Sequence, residues 1–313
     1  MPLAMLFVLL VVRLTGLDAG TPLAVPVVLF PYAAVLSVLA LTTMVAVPAL
    51  RNLWLIIVGV LITAAYVVLL VPRFTPHHQQ RIPAQASQLR VATLNAHVGR
   101  ADAHALLRLV KSERIDVLAV QELPSAGIAA LAEADLDKVL PYQELRPEND
   151  SSFYSRIPLT HSGPLKADTA WPQTAAQVTV GGRAVRMVAV HTYYPLGDAK
   201  RWTQDITALT SVAHDSGPDT VFLGDFNASL DHAPMRELLA SGGLADIHAE
   251  LGHGWARTWP ADKSPLPPLV QLNHVLHGPG LAGISVSERT IAGTDHRAVI
   301  ATLAVLPSKD RAG

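Results

Sequence analysis

The alternation of hydrophobic and polar positions changes character near Arg73. Before it, apolar residues run almost unbroken, and Asn52–Pro72 (NLWLIIVGVLITAAYVVLLVP) is 21 residues without a charge between Arg51 and Arg73. At about 1.5 Å of rise per residue, such a helix covers the roughly 30 Å hydrocarbon layer of a bilayer. Thr21–Leu50 is also uncharged and long enough for a second span, with Pro31 marking a kink or the start of the helix. Met1–Val12 is apolar but short; it is either a third helix running past Arg13 or one cut short. It lacks the basic leading region of a cleaved signal peptide. Residues 1–73 are therefore expected to form two or three transmembrane helices, making the chain a multi-pass membrane protein. With three helices and Arg51 in a cytoplasmic turn, the rest of the chain lies outside the cytoplasm, although Arg73 and Arg81 argue the other way.

Residues 74–88 are polar and proline-containing and read as a linker, in which His77 and His78 are solvated. Beyond it the pattern is that of a globular domain over residues 89–306, with a tail at 307–313. LRVATLN (Leu89–Asn95) alternates as a strand, ADAHALLRLVKSER (Ala101–Arg114) has helical spacing, and IDVLAVQEL (Ile115–Leu123) is a buried strand. Further strands fall at Ser151–Leu159, Ala175–Val180, Ala184–Thr192, TVFLGDFN (Thr220–Asn227), Leu269–His277, Ile284–Arg289 and His296–Val305. Helices are expected over about Ala199–Ala213 and Pro234–Ser241. Interleaved helices and tight hairpins predict an α/β fold: a four-layer, two-sheet sandwich flanked by helices rather than a single parallel sheet.

Five of these strands share one habit, an apolar body with a polar tip. The tips are Asn95, Gln121–Glu122, His191, Asp225 with Asn227, and Thr294–Asp295–His296 ahead of the last strand. In VFLGDFN, strand alternation puts Asp225 and Asn227 on one face and Phe226 on the other, although Gly, Asp and Asn also suit a turn. Carboxylate and amide oxygens suit a hard divalent cation such as Mg²⁺, and imidazoles and amide NH₂ groups suit the oxygens of a phosphoryl group in transit. Composition narrows the partners. The chain has no cysteine, which excludes disulfides and thiolate metal sites. With Arg13, Arg51, Arg73 and Asp18 set aside from totals of 24 basic and 25 acidic residues, 21 basic and 24 acidic remain after Arg73. A protein that grips duplex nucleic acid through many phosphates usually carries a basic excess, and this one does not.

The pieces TLNAH, VQE, YSRIP, VHT, GDFN, LNHVL and GTDH, in this order from Leu89 to Val305, resemble the endonuclease/exonuclease/phosphatase superfamily of metal-dependent phosphoesterases. The resemblance implies that Glu122 is the central metal ligand, assisted by Asn95 and Asp295, with Mg²⁺ or Mn²⁺ as the cofactor. It implies that Asp225 orients or deprotonates the attacking water, that Asn227 and His191 hold the scissile phosphate, and that His296 stabilises the pentacoordinate transition state. His97 stands where the family often has Asp or His, in a supporting or a purely structural role. Ser155 and Arg156 read as structural, and His248, His253 and His274 as core or surface histidines. One position departs from the pattern: the family usually has Asp where this chain has Asn273. Asparagine can accept a hydrogen bond from the catalytic imidazole, but it brings no charge, or it can present its NH₂ and select the wrong tautomer. The expectation is a weakened or retuned catalyst.

The substrate does not follow from the fold. The hydrophobic segment, the lack of basic excess and the Trp- and Pro-rich loop GHGWARTWPADKSPLPP (Gly252–Pro268) favour a phosphorylated lipid or cell-envelope intermediate at a lipid bilayer. Trp255 and Trp259 in that loop either cover the site, touch a membrane or pack the core. The chain also looks similar to tethered bacterial members such as the teicoplanin-resistance membrane proteins. The competing readings are a Mg²⁺-dependent nuclease and a non-enzymatic membrane adaptor; no obligate protein partner is evident.

Overall fold

A computed structural model describes residues 2–77, 81–148, 150–261 and 267–307; His78 of the linker lies outside the described residues. The N-terminal region forms α1 (Pro2–Thr15), a single turn α2 (Ala24–Val27), α3 (Phe30–Ala46) and α4 (Leu53–Leu70). Thr21–Leu50 is thus two pieces and not one helix. The chain leaves α2 at Val28 and restarts with Pro31 in the first turn of α3, where a missing N–H costs nothing. Among the described residues one helix, Leu53–Phe74, is long and apolar enough to cross a membrane, with mean hydropathy 2.8 over its most apolar stretch, of which 17% is buried. Leu3–Thr15 and Phe30–Ala46 are apolar but shorter. The three long helices pack through Leu6, Leu10, Phe30, Ala33, Ile62 and Tyr66, while Met5, Trp54 and Val68 point outward and are exposed.

The remaining elements are β1 (Ser87–Asn95), α5 (Ala103–Ser112), β2 (Val117–Gln121), α6 (Ser125–Glu133), α7 (Leu136–Val139), β3 (Tyr142–Glu144), β4 (Ser151–Ser155), β5 (Thr160–Pro164) and β6 (Thr174–Val180). They continue with β7 (Arg183–His191), α8 (Pro195–His214), β8 (Thr220–Asp225), α9 (Ala233–Ser241), β9 (Ala245–Asp246), α10 (Ile247–Glu250), β10 (Asn273–His277), β11 (Leu281–Thr290) and β12 (Arg297–Val305). They build two six-stranded sheets, in the orders β11-β12-β1-β2-β4-β3 and β5-β6-β7-β8-β10-β9. Each sheet holds one parallel pair, β1/β2 and β7/β8, and its other neighbours are antiparallel. Both parallel pairs are joined by a helix, α5 or α8, as parallel strands require.

Strand alternation sorts the core into three layers of contact. Leu89, Val91, Val117, Ala119, Met187, Ala189, Val221, Leu223 and Val275 meet between the sheets. Ala92, Leu94, Leu118 and Val120 face α5 and α6, and Val188, Phe222, Phe226 and Leu276 face α8 and α9. This is the predicted sandwich with helices on both outer faces.

The N-terminal helices are fastened to the sandwich by polar groups rather than strung from it. Arg13 Nε donates to Asp231 Oδ1 at 3.0 Å, and Arg73 donates to both oxygens of the same carboxylate at 2.9 and 2.7 Å. Asp18 accepts from Ala233 N (2.7 Å), Thr203 Oγ1 from Gly20 N (2.8 Å), and the Leu269 carbonyl from Tyr32 Oη (2.7 Å). Three of the four charged side chains in the first 73 residues, Arg13, Asp18 and Arg73, therefore face the sandwich. The fourth, Arg51, sits at the far end of the α3–α4 hairpin, where its Nε donates to the Val45 carbonyl.

Candidate active site

Four polar strand ends have the parity of the core between the sheets. Asn95 continues Val91 and Thr93, His191 continues Met187 and Ala189, Asp225 continues Val221 and Leu223, and Asn273 precedes Val275 by two. The site is where the inner apolar faces of the two sheets run out at the carboxyl ends of the parallel pairs, a position that open α/β sheets commonly use for ligands. Register brings the tips abreast: Asn95 pairs with Gln121, His191 with Asp225, and Asp225 with Asn273. Gly224 lets these strands close up, because a Cβ there would lie 1.9 Å from the Val190 carbonyl oxygen.

A cleft of about 330 Å³ at this end holds Asn95, Glu122, His191, Asp225, Asn227 and His296 together. Asn95 spans the two sheets: its Nδ2 donates to Glu122 Oε1 at 2.9 Å and to Asp225 Oδ2 at 3.0 Å. Glu122 follows β2 with φ of +51°, a left-handed backbone that costs a non-glycine residue roughly 1–3 kcal/mol. Its second oxygen accepts from Val98 N at 2.9 Å. The strain aims a carboxylate, one quarter exposed, into the cleft.

His191 is buried and donates from Nδ1 to Asp150 Oδ2 at 2.9 Å, while its Nε2 stands 3.7 Å from Glu122 Oε1. Burial alone disfavours the imidazolium, but the Asp150 hydrogen bond and the charges of Asp225, Asp150 and Glu122 outweigh it, raising the pKa. Trp171 stacks on the ring at 4.6 Å, and Gln173 Nε2 donates to the His191 carbonyl at 2.8 Å.

His296 Nδ1 lies 2.8 Å from Asn273 Oδ1 and 3.5 Å from Asp225 Oδ2. An amide oxygen only accepts, so Nδ1 carries a proton and Nε2 is the ring nitrogen left to face the cleft. Asn273 thus meets the imidazole through its carbonyl and does not impose the wrong tautomer. The other half of that amide is the cost: Asn273 Nδ2 is buried without a partner, worth roughly 1–3 kcal/mol.

One expectation needs correcting and one of the open alternatives falls away. Asp225 and Asn227 are not on one face of a strand, because β8 ends at Asp225. Asn227 has φ of +46° and donates its N–H to Asp225 Oδ1 at 2.9 Å, so the strand turns at once and the turn brings Asn227 into the cleft. Its Nδ2 donates to the Thr192 carbonyl at 3.1 Å, and Phe226 packs the opposite way on α8, as the alternation implied. Trp255 and Trp259 do not pack the core. Trp255 sits edge-on to Tyr32 at 5.4 Å, and Trp259 Nε1 donates to Asp295 Oδ2 at 3.1 Å. Asp295 Oδ1 lies 3.3 Å from His97 Nδ1 and 3.9 Å from His296 Nε2, so His97 acts on the site through Asp295.

Arg156 donates to the Ile115 carbonyl, and His253 is exposed. His248 and His274 are buried in a separate network with Glu288 and Asp246, away from the cleft. Sequence reading missed Asp150, Trp171 and Gln173. The signal for the first was an acid directly before the strand SSFYS. For Gln173 it was a polar residue entering a strand, the mirror image of the tips.

A model of the Endonuclease/Exonuclease/phosphatase family matches residues 92–296, a span that begins inside β1 and ends on His296. The chain belongs to this family. Family members are metal-dependent hydrolases of phosphoester bonds, and so is this chain. The fold is similar to that of D. rerio TDP2, solved with a single-strand DNA product, at 17% identity and TM-score 0.56, covering 69% of this chain and 98% of that one. It is also similar to a Bacteroides thetaiotaomicron mannosyl-6-phosphatase (13%, TM-score 0.53, 69% and 99%) and to sphingomyelinase C from Streptomyces griseocarneus (19%, TM-score 0.50, 69% and 99%). At these identities the likeness is one of fold. No curated protein matches the sequence.

The donor set fits the divalent cation of the family. No three His, Asp or Glu side chains converge as ligands among the described residues. Glu122 offers a carboxylate at the mouth of the cleft; Asn95 turns its NH₂ to Glu122 Oε1 and its Oδ1 to the His97 N–H at 2.9 Å, so the amide oxygen keeps one lone pair for a cation. Mg²⁺ is commonly held by one or two carboxylates and completes its shell with water and substrate phosphate.

Proposed function

We propose that the chain is a membrane-anchored, Mg²⁺- or Mn²⁺-dependent phosphoesterase that hydrolyses a phosphorylated lipid or cell-envelope intermediate. The observation that carries this reading is that the apolar N-terminal helices dock on the sandwich through Arg13, Arg73 and Asp231 and bring Val25 and Val28 into a pocket adjoining the cleft. Glu122 and Asn95, with Asp295, would hold the cation, which when bound neutralises charge on the phosphate. Asp225 accepts the proton of the attacking water, held in place by Asn95 and the Asn227 N–H. The water oxygen bonds to phosphorus as the ester oxygen leaves and takes a proton from solvent. Asn227, whose amide has one hydrogen on Thr192, offers the other to a phosphate oxygen. His191, fixed by Asp150, and His296, fixed by Asn273, turn their Nε2 atoms to the remaining oxygens.

The same docking supports one orientation. Arg13 and Arg73 are consumed in the ion pair with Asp231, which leaves Arg51, among the described residues up to 73, as the basic side chain without an acidic partner, at the opposite end of the helices. That supports Arg51 on the cytoplasmic side and an extracytoplasmic catalytic domain.

The test is a substrate panel on the full chain in lipid nanodiscs with Mg²⁺ or Mn²⁺: a lipid phosphoester, duplex and single-stranded DNA, and a generic phosphodiester. EDTA-sensitive turnover of the lipid ester that falls at least about 10²-fold in Glu122→Gln is expected. Turnover of DNA alone refutes the substrate, and no turnover on any of them refutes the enzyme.

A further inference from the structure

Beside the catalytic cleft lies a second chamber of about 260 Å³. It adjoins the cleft: Tyr194, Asn227 and His296 line both. Its remaining walls are mostly hydrocarbon. Val25 and Val28 come from the α2 turn, Val270 and Leu272 from the segment before β10, and Leu196 from the start of α8. Leu196 is 77% exposed at the rim. The α2 turn is a partition with two apolar faces. Val25 and Val28 look into the chamber, while Leu23, Pro26 and Leu29 border an apolar trough of about 530 Å³ between α1 and α3. The partition is pinned in place: Ala24 packs fully buried in the cluster that contains Trp202, and its carbonyl accepts from His232 Nε2 at 2.8 Å.

We propose that this chamber is the subsite for the hydrocarbon chain of a lipid phosphoester, seated with its phosphoryl group in the cleft and its tail against Val25 and Val28. The assignment rests on the phosphoesterase reading above and makes its substrate more specific. A phosphoryl group between Asn227 and His296 has its ester substituent within reach of the chamber, since those two residues line both spaces. A nucleotide or sugar substituent would bury hydroxyls and ring nitrogens against valine and leucine without hydrogen bonds, which is unfavourable. A hydrocarbon chain needs none. The wall that receives it belongs to the segment that also borders the apolar trough, so a tail drawn from a bilayer passes from one apolar surface to the next. Val25, Val28 and Leu272 are then specificity-determining residues that the catalytic chemistry does not require.

The test uses the full chain in nanodiscs and alkyl phosphonates of increasing length, whose C–P bond resists hydrolysis. In the wild type, affinity should rise roughly two- to fourfold per methylene until the chain outgrows the chamber. Val28→Trp, which fills the chamber, should weaken a dodecyl phosphonate at least tenfold relative to the wild type in the same discs, a comparison that cancels partitioning into the lipid. Val25→Trp serves as a second variant should Val28→Trp fail to fold. In turnover, the ratio of kcat/KM for a long-chain ester to that for its headgroup-only version should collapse in both variants. Equal chain-length dependence in wild type and a folded filled variant, with lipid ester still hydrolysed, overturns the chamber and leaves the proposed function standing. Turnover of DNA with none of the lipid ester overturns the proposed function and the chamber's assignment with it.

Discussion

Replacing Asp231 with asparagine removes the carboxylate that Arg13 and Arg73 share. Its side chain is 1% exposed, and three charge-assisted hydrogen bonds of 2.7–3.0 Å end on it. Burial alone would raise its pKa, but Arg73 and then Arg13 hold it below the ordinary carboxylate value. Removing one partner of a buried ion pair costs about 3–5 kcal/mol, because the other charge is left uncompensated. Asparagine keeps a carbonyl for one of the arginines, which puts the expected cost near the lower end, about 3 kcal/mol. The chain has no cysteine, so a single Ala24→Cys substitution reports undocking of the helices without background. Ala24 is fully buried, and its thiol reacts only when α2 leaves the sandwich. About 3 kcal/mol corresponds to roughly 10²-fold faster labelling in Asp231→Asn than in its parent. Labelling rates within twofold of each other would falsify the view that this ion pair holds the two parts together. The sign of the pH effect is fixed. A carboxyl whose folded pKa is depressed contributes fully above its unfolded value, about 3.9, and the contribution is lost as pH falls through the folded value. The gap between parent and variant should therefore hold at neutral pH and close only in acid.

Three other outcomes follow from contacts already described. Asn273→Asp gives His296 a charged acceptor and removes the orphaned NH₂; turnover should rise roughly fivefold, the difference between a neutral and a charge-assisted hydrogen bond, and unchanged kcat refutes this account of the position. Asp246, buried and paired with His274 at 2.8 Å, has a pKa lowered to about 2 against its burial by that hydrogen bond and the nearby histidines. It should contribute about 2 kcal/mol that is present above about pH 4 and lost toward pH 2. Urea unfolding across that range should show the deficit of Asp246→Asn shrinking, and a constant deficit contradicts the assignment. Trp259→Phe removes the donor to Asp295 Oδ2 at 3.1 Å and should cost about 1.5–3 kcal/mol in transition-state or metal binding. That is read as a rise in the Mg²⁺ concentration for half-maximal rate or a fall in kcat, and neither change places Asp295 outside the reaction.

The strands and their polar tips were legible in the sequence because strand alternation is local. Once Val221 and Leu223 are known to face inward, Asp225 must face inward too, whatever the rest of the chain does. The same parity carried Asn95, His191 and Asn273 to one end of the sandwich. Alternation fails at the first residue that leaves the strand, which is why Asn227 reached the cleft by a turn and Glu122 by a left-handed backbone. Tertiary structure alone decided what the tips meet. Asp150 reaches His191 across 41 positions, and Arg13 finds Asp231 across 218. In the sequence those two look like a stray charge in an apolar run and an ordinary loop acid. Their partnership depends on how a hydrophobic segment docks against a sandwich that it does not resemble. No local pattern encodes that docking, and the chamber between α2 and the cleft exists only because of it.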